Sequence, residues 1–447
     1  MAAATGVIGA AICLVLVGPP ATGIGAAVAG STPSRTQDEA ISMLRGKLLA
    51  LALLAGMLLA ACGGGHASPG KPTGGAATAP DVPPASFYEL PGRLQPGRPG
   101  ALIRAQAIAG SPQLPGSRAW AVLYHSRSFD GHDVPVTGTV LAPPGAAPAG
   151  GRPVLAWGHG SSGLADRCAP SRFGFGAGGA FGPAGNRLLG QLLERGLVVA
   201  ASDYQGLGTP GLARSAIGLA AGHALLDAAR AARQLPDAGA SGRVLLAGHS
   251  EGGHAALWAA ELAPSYAPEL QVGGAAGLAP GADLATLLRL AGDRPAPLTS
   301  AAMLLVAAWS DAYHLPVSVL LPAGRQALGR VRGSCLAELA AGPAVAAVRP
   351  TDLLKVAPWP ALLERNTPGH QATRVPLLLA QGTNDERVAP ASNRTMAARL
   401  CRAGDRVELR AYPNVDHLGI IDAAGGDLLA WIGDRLASRP ARTTCQP

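Results

Sequence analysis

The stretch RVLLAGHSEGGHAALWAAELA, residues 243–263, drives an apolar strand-like run straight into an alanine-rich helix through a glycine-rich junction. A strand that becomes a helix within one or two residues needs neighbouring strands beside it and a helix folded back over the sheet. Gly248-His249-Ser250-Glu251-Gly252 occupies the junction. Its glycines let strand and helix pass where a side chain would collide, and the sharp turn between them lifts Ser250 above the sheet. A G-x-S-x-G string alone occurs often by chance. The strand entering it and the helix leaving it are what make this one informative.

The flanking chain repeats the same rhythm. RPVLAWGHG, LVVAASDY, LQVGGAAGLAP, RVPLLLAQG and RVELRAYPN read as short buried strands. Helical stretches separate several of them, including NRLLGQLLERG, with Leu188, Leu189, Leu192 and Leu193 on one face, and HALLDAARAARQLP, stopped by Pro236. Strands alternating with helices predict an α/β fold with a mostly parallel sheet covered on both faces. Before them, AWAVLYHSRS and VPVTGTVLAP alternate around Asp130-Gly131 and predict an antiparallel hairpin. Between Gly281 and about Arg374 the rhythm breaks into some 90 residues of helical pattern, including SAAMLLVAAWSDAY and CLAELAAGPAVAAV. This is too long for an ordinary connection and predicts a helical cap over about 281–373.

A serine hydroxyl needs a base to become a nucleophile, and the base needs a carboxylate to orient it. Where the serine sits on a strand-to-helix turn, the expected chain order is serine, acid, histidine. LLLAQGTNDERV places Asp385 just past a strand end, and AYPNVDHLGI places His417 past the last strand, the only one of ten histidines to lie there. Glu386 and Asp416 compete with Asp385 for the acid, but Asp416 adjoins His417 and is badly placed to brace its ring. An oxyanion hole then requires the amide of Glu251 and one from the loop His159-Gly160-Ser161-Ser162-Gly163, at Gly160 or Ser161. His159 reads as a structural histidine pinning that loop. YQGLGTPG reads as a strand-end turn, since no G-K-[ST] follows it. No metal or cofactor is expected: His249 and His254 stand five apart across a turn, and neither H-E-x-x-H nor paired C-x-x-C occurs.

The formal charge of +8 comes from scattered residues, 33 of the 36 basic ones being arginine, with no basic cluster and no interleaved aromatics. Nucleic acid is therefore not an expected partner. Leu48 to Ala61 is an apolar run of 14 residues behind Arg45 and Lys47, too short to span a bilayer, which takes ~20 residues. It has the layout of a signal peptide counted from Met43, and Leu59-Ala60-Ala61-Cys62 resembles the lipobox of bacterial lipoproteins. The expected organisation is a leader over 1–61, a glycine-, alanine- and proline-rich tether over 62–84, and a catalytic domain over 85–447. Cys62 would be the acylated first residue of an exported, cell-envelope protein, with plain secretion as the alternative. Residues 1–42 fit poorly as a leader; a translation start at Met43 and an additional membrane segment are the two readings. Four cysteines remain, Cys168, Cys335, Cys401 and Cys445, an even number that predicts two disulfides with three possible connectivities.

AWGHGSSGLADRCAPS, ASDYQGLGTPG, GHSEGGHAALWAAELAPSYAPEL and QGTNDERV, in this order, resemble the bacterial members of the secretory lipase family, the fungal lipase A type, over roughly residues 85–440. The resemblance implies an α/β-hydrolase with a helical cap that hydrolyses carboxylic esters, lipids included. It carries the triad onto Ser250, Asp385 and His417, and implies the pairings Cys168–Cys335 and Cys401–Cys445. The alanine-rich cap departs from the family pattern, which leaves esterase activity the firmer expectation and triacylglycerol lipase activity the looser one. A serine peptidase or amidase on the same triad, and a non-catalytic binding protein that kept the fold, are the alternatives.

Overall fold

The computed structural model describes residues 81–90, 92–173, 182–291, 296–317, 322–341 and 353–446, within a unit that runs from Ala77 to Pro447. The expected leader, most of the tether and Cys62 lie outside the described residues. Nine described strands form one sheet: β1 (Leu102–Ile108), β2 (Arg118–Arg127), β3 (Asp133–Ala142), β4 (Arg152–Gly158), β5 (Val198–Ser202), β6 (Ala240–His249), β7 (Gln271–Leu278), β8 (Leu377–Gly382) and β9 (Val407–Tyr412). Their order is β1-β2-β3-β5-β4-β6-β7-β8-β9. The first three strands and β5 pair antiparallel, and everything from β5 to β9 is parallel. The hairpin expected at Asp130-Gly131 joins β2 to β3, with Arg127 opposite Asp133 and Gly131 at φ 88°.

Parallel strands require crossovers, and helices supply them on both faces. On one face lie α1 (Gly182–Glu194) and, after β9, α10 (Ile420–Ala423) and α11 (Gly425–Leu436). On the other lie α2 (Gly218–Ala232), α3 (Glu251–Tyr266) and α9 (Pro390–Arg402). The central strands are buried on both sides and feed two cores alternately. Val154 and Ala156 of β4, with Val244 and Leu246 of β6, pack with α2 and α3. Leu155, Trp157, Leu245 and Ala247 pack with Leu188 and Leu192 of α1 and with Trp431 of α11. This is why the strands read as continuous apolar runs rather than as alternation.

Between β7 and β8 lie α4 (Leu284–Ala291), α5 (Ala296–Ala312), α6 (Pro322–Arg332), α7 (Leu336–Ala341) and α8 (Trp359–Arg365). They build a third core around Trp309 and Trp359, which stack at 5.9 Å, and this core includes Leu164, Leu207 and Ile217 from the loops beyond β4 and β5. The helical insertion thus sits over the strand ends that carry those loops. Disulfide Cys168–Cys335 fastens it there, and Cys401–Cys445 ties the C-terminus to α9, the pairings that the resemblance implied.

Candidate active site

Ser250 stands between β6 and α3 with φ +56° and ψ −116°, a region that non-glycine residues rarely occupy. Its surroundings hold it in place. The Ser250 amide donates to the Leu278 carbonyl at 2.9 Å, and its own carbonyl accepts from Gly253 and Gly281, each at 3.0 Å. The two glycines of the motif are required by contact: a Cβ on Gly252 would lie 1.9 Å from the Gly158 oxygen, and one on Gly248 would lie 2.3 Å from the Gly252 oxygen. Strand β4, strand β6 and the first turn of α3 therefore meet backbone to backbone beneath the serine. Ser250 also sits at the positive end of the α3 dipole.

His417 lies in the loop between β9 and α10, and its Nδ1 is 2.9 Å from Asp385 Oδ2, both side chains being buried. Asp385 is itself pinned. Its Oδ1 accepts from the amides of Arg387 at 2.9 Å and Val388 at 2.7 Å, and Oδ2 also accepts from Gln381 Nε2 at 3.0 Å. Asn393 on α9 donates in turn to Gln381 Oε1. Burial alone would raise the Asp385 pKa, but the hydrogen bond and charge of His417 and the two amides outweigh it and hold the carboxylate below its usual range. The competing acids are elsewhere: Glu386 is exposed and pairs with Arg387, and Asp416 is exposed and accepts from the Gly419 amide.

Ser250, His417, Gly160, Ser161 and Glu251 line one cavity of about 390 Å³. Among the described residues, no group accepts a hydrogen bond from the amides of Gly160, Ser161 or Glu251. The other walls are mainly apolar and come from the insertion: Leu284, Leu287 and Leu288 of α4, Ala302 and Leu305 of α5, and Leu336 of α7. The loop bearing Gly160 is held from behind. Tyr204 donates its hydroxyl to the His159 carbonyl at 3.0 Å, and His159 Nδ1 lies 2.6 Å from the Gly160 oxygen. Residues 204–211 form a turn after β5 in which Gly206, Gly208 and Gly211 all take positive φ. No cluster of three or more metal-ligating side chains occurs among the described residues.

Three side chains of this site carry no sequence signal of their own. Gln381 and Asn393 brace Asp385, and His249 contacts His417: its Nε2 is 2.8 Å from the His417 carbonyl oxygen. Gln381 and Asn393 lie 4 and 12 residues from the groups they hold, whereas His249 meets His417 across 168 residues, a contact that only the sheet order brings about.

A mostly parallel sheet with helices on both faces, a serine on the turn between a strand and a helix, and a helical insertion over the strand ends define an α/β-hydrolase. Solved structures agree: that of Candida antarctica lipase A superposes with a TM-score of 0.68 at 22% identity, covering 82% of this chain and 89% of that one. The chain belongs to the secretory lipase family, whose sequence profile matches residues 184–444. Lipase A of Moesziomyces aphidis is 29% identical over 246 residues, 52% of each protein, so the match spans about half the length of that relative. "Probable inactive lipase MT1628" of Mycobacterium tuberculosis is 27% identical over 379 residues, 79% of this chain and 82% of its own.

Proposed function

We propose that this protein is a serine carboxylic-ester hydrolase that works through an acyl-enzyme. The observation that carries the reading is the strained Ser250 sharing a cavity with His417, whose ring is held through Nδ1 by the buried Asp385. In this reading Ser250 Oγ attacks the ester carbonyl and His417 Nε2 takes its proton. The amide of Glu251 and one from Gly160 or Ser161 stabilise the oxyanion. His417 then protonates the departing alcohol. Water repeats the sequence on the acyl-serine, freeing the carboxylic acid and restoring Ser250. Asp385 keeps the imidazole in one tautomer and offsets its charge when protonated.

The leucine- and alanine-lined wall supports an apolar acyl chain as the group bound opposite Ser250. At about 390 Å³ the cavity falls within the range of ligand sites, roughly 300–1,000 Å³. The deciding experiment is turnover of a p-nitrophenyl ester series by the wild type and by Ser250→Ala. Activity of the variant at the wild-type level would sink the assignment.

A non-catalytic protein on the same fold is the second reading, favoured by the Mycobacterium tuberculosis relative whose name describes it as inactive. Labelling by a fluorophosphonate probe that is lost in Ser250→Ala would exclude it. We further propose that residues 43–61 are a signal peptide and that Cys62 is the lipid-anchored first residue of an exported enzyme, on the strength of Leu59-Ala60-Ala61-Cys62 and the tether after it. A mature N-terminus found elsewhere would remove that proposal.

A further inference from the structure

The position after the nucleophile is required only for its amide; its side chain is free to be anything that fits. Here it is a glutamate, and an acid in the first turn of α3 could be no more than a partner for the helix dipole. Its contacts show otherwise. Glu251 lines the cavity rather than facing bulk solvent, and both of its oxygens are engaged. Oε2 accepts from the Ser161 hydroxyl at 2.5 Å, across 90 residues of sequence. Oε1 accepts from the Ala216 amide at 2.9 Å, in the loop between β5 and α2, where Ala216 takes φ +54°. One carboxylate thus joins the elbow, the loop after β4 and the loop after β5.

We propose that Glu251 is a positioning residue that sets the geometry of the oxyanion hole through its side chain as well as supplying one of its amides. This rests on the esterase reading above. The amide at Glu251 and the amide at Gly160 or Ser161 must both point at one oxygen from about 2.7–3.1 Å, although they belong to chain segments that are distant in sequence. Among the described residues, the Glu251 carboxylate is the only hydrogen-bonding partner of Ser161. The loop is held on either side of Ser161, by the Tyr204 hydroxyl on the His159 carbonyl and by the Leu336 amide on the Ser162 carbonyl at 2.8 Å, which leaves Ser161 itself to Glu251. The short, charge-assisted hydrogen bond that the Ser161 hydroxyl donates to the Glu251 carboxylate spans the two segments that carry the donors and fixes the gap between them. The arrangement has an electrostatic cost, because a carboxylate near a developing oxyanion repels it. Glutamine separates the two effects. It accepts from Ala216 through its oxygen and donates to Ser161 Oγ through its nitrogen, without the charge.

The test measures kcat and KM on p-nitrophenyl butyrate, together with inhibition by an alkyl boronic acid that forms a tetrahedral adduct on the serine. Wild type and Ser250→Ala are assayed first, so a failure of the esterase reading is seen by itself. Glu251→Ala is expected to lower kcat about 10- to 100-fold with KM within threefold, less than outright loss of an oxyanion donor, which costs ~10²–10³. Boronic acid affinity should fall in parallel. Glu251→Gln should recover at least about fivefold of kcat over Glu251→Ala, and Ser161→Ala should reproduce most of the loss. Ser161→Ala combined with Glu251→Ala should be no worse than Glu251→Ala alone, since both remove one interaction. Additive losses, or kcat within twofold of wild type in Glu251→Ala, would overturn the proposal. Should Glu251→Ala fail to fold, Ser161→Ala decides: a kcat loss with unchanged KM supports it, and kcat within twofold of wild type overturns it.

Discussion

The Nε2 atom of His249 lies 2.8 Å from the main-chain oxygen of His417, and the two rings stand 4.7 Å apart. The residue before Ser250 therefore holds the loop of His417, the two being the proposed nucleophile and base. Burial, reinforced by the neighbouring His417, lowers the His249 pKa to about 3, so it stays a neutral donor at any pH where the enzyme would work. His249→Ala would leave the buried His417 carbonyl unpaired, a cost of about 1–3 kcal/mol. We expect a lower melting temperature and a kcat reduced about tenfold or more, with a smaller change in KM. A variant with wild-type kcat would show that the His417 loop holds its position unaided.

Asp385→Asn tests the acid more sharply than alanine does. The amide nearly preserves the shape but offers His417 Nδ1 a donor as readily as an acceptor, and it carries no charge to offset an imidazolium. A loss in kcat of about 10³–10⁴ is expected with the fold intact. Circular dichroism alongside ester turnover would separate the two effects, and a loss of less than tenfold would remove Asp385 from the triad.

Gly252→Ala should act on the fold before it acts on chemistry. The added Cβ would meet the Gly158 oxygen at 1.9 Å and the His159 oxygen at 2.9 Å, both backbone atoms of the adjoining strand and loop. Neither can rotate away as a side chain would. The destabilisation should match or exceed the ~1–3 kcal/mol of ordinary overpacking. Chemical denaturation would reveal it, and a variant as stable as wild type would contradict the close approach of β4 and α3.

Acid stability has a defined sign at His223. Burial lowers its folded pKa to about 4, against an unfolded value near ~6.5. Between those pH values the unfolded chain binds a proton that the folded chain does not, so stability falls as pH falls through the window. His249 and His254 are lowered as well and act in the same direction. Asp227, raised to about 6 by burial, acts oppositely, gaining its proton in the folded state first. His223→Gln keeps a donor for the Arg127 carbonyl and removes the titration. Its melting temperature should therefore drop less than that of wild type between pH 7 and pH 4.5, the Asp227 contribution cancelling in the comparison. Equal drops would refute the assignment.

Much of the architecture was legible because its causes are local. Apolar runs separated by helical stretches foretold the parallel strands, and Asp130-Gly131 foretold the hairpin between β2 and β3. Less was visible at the margins. Strand β1 carries Arg104 and Gln106 and is only partly buried, so its pattern is weak. The Ser250, Asp385 and His417 assignment came from serine, acid and histidine standing in order beyond strand ends, and the structure places Asp385 and His417 in direct contact.

What the sequence determined by itself is the set of features that follow from backbone necessity: which segments are strands, where glycine is required, and which residues stand at strand ends. Only the tertiary structure decided which side chains meet. His417 reaches Asp385 across 32 residues, Ser161 reaches Glu251 across 90, and His249 reaches the His417 carbonyl across 168. No local periodicity encodes such pairs. They exist because the strand order brings the C-terminal ends of β4, β6, β8 and β9 to one rim, and because the helical insertion closes a cavity above it.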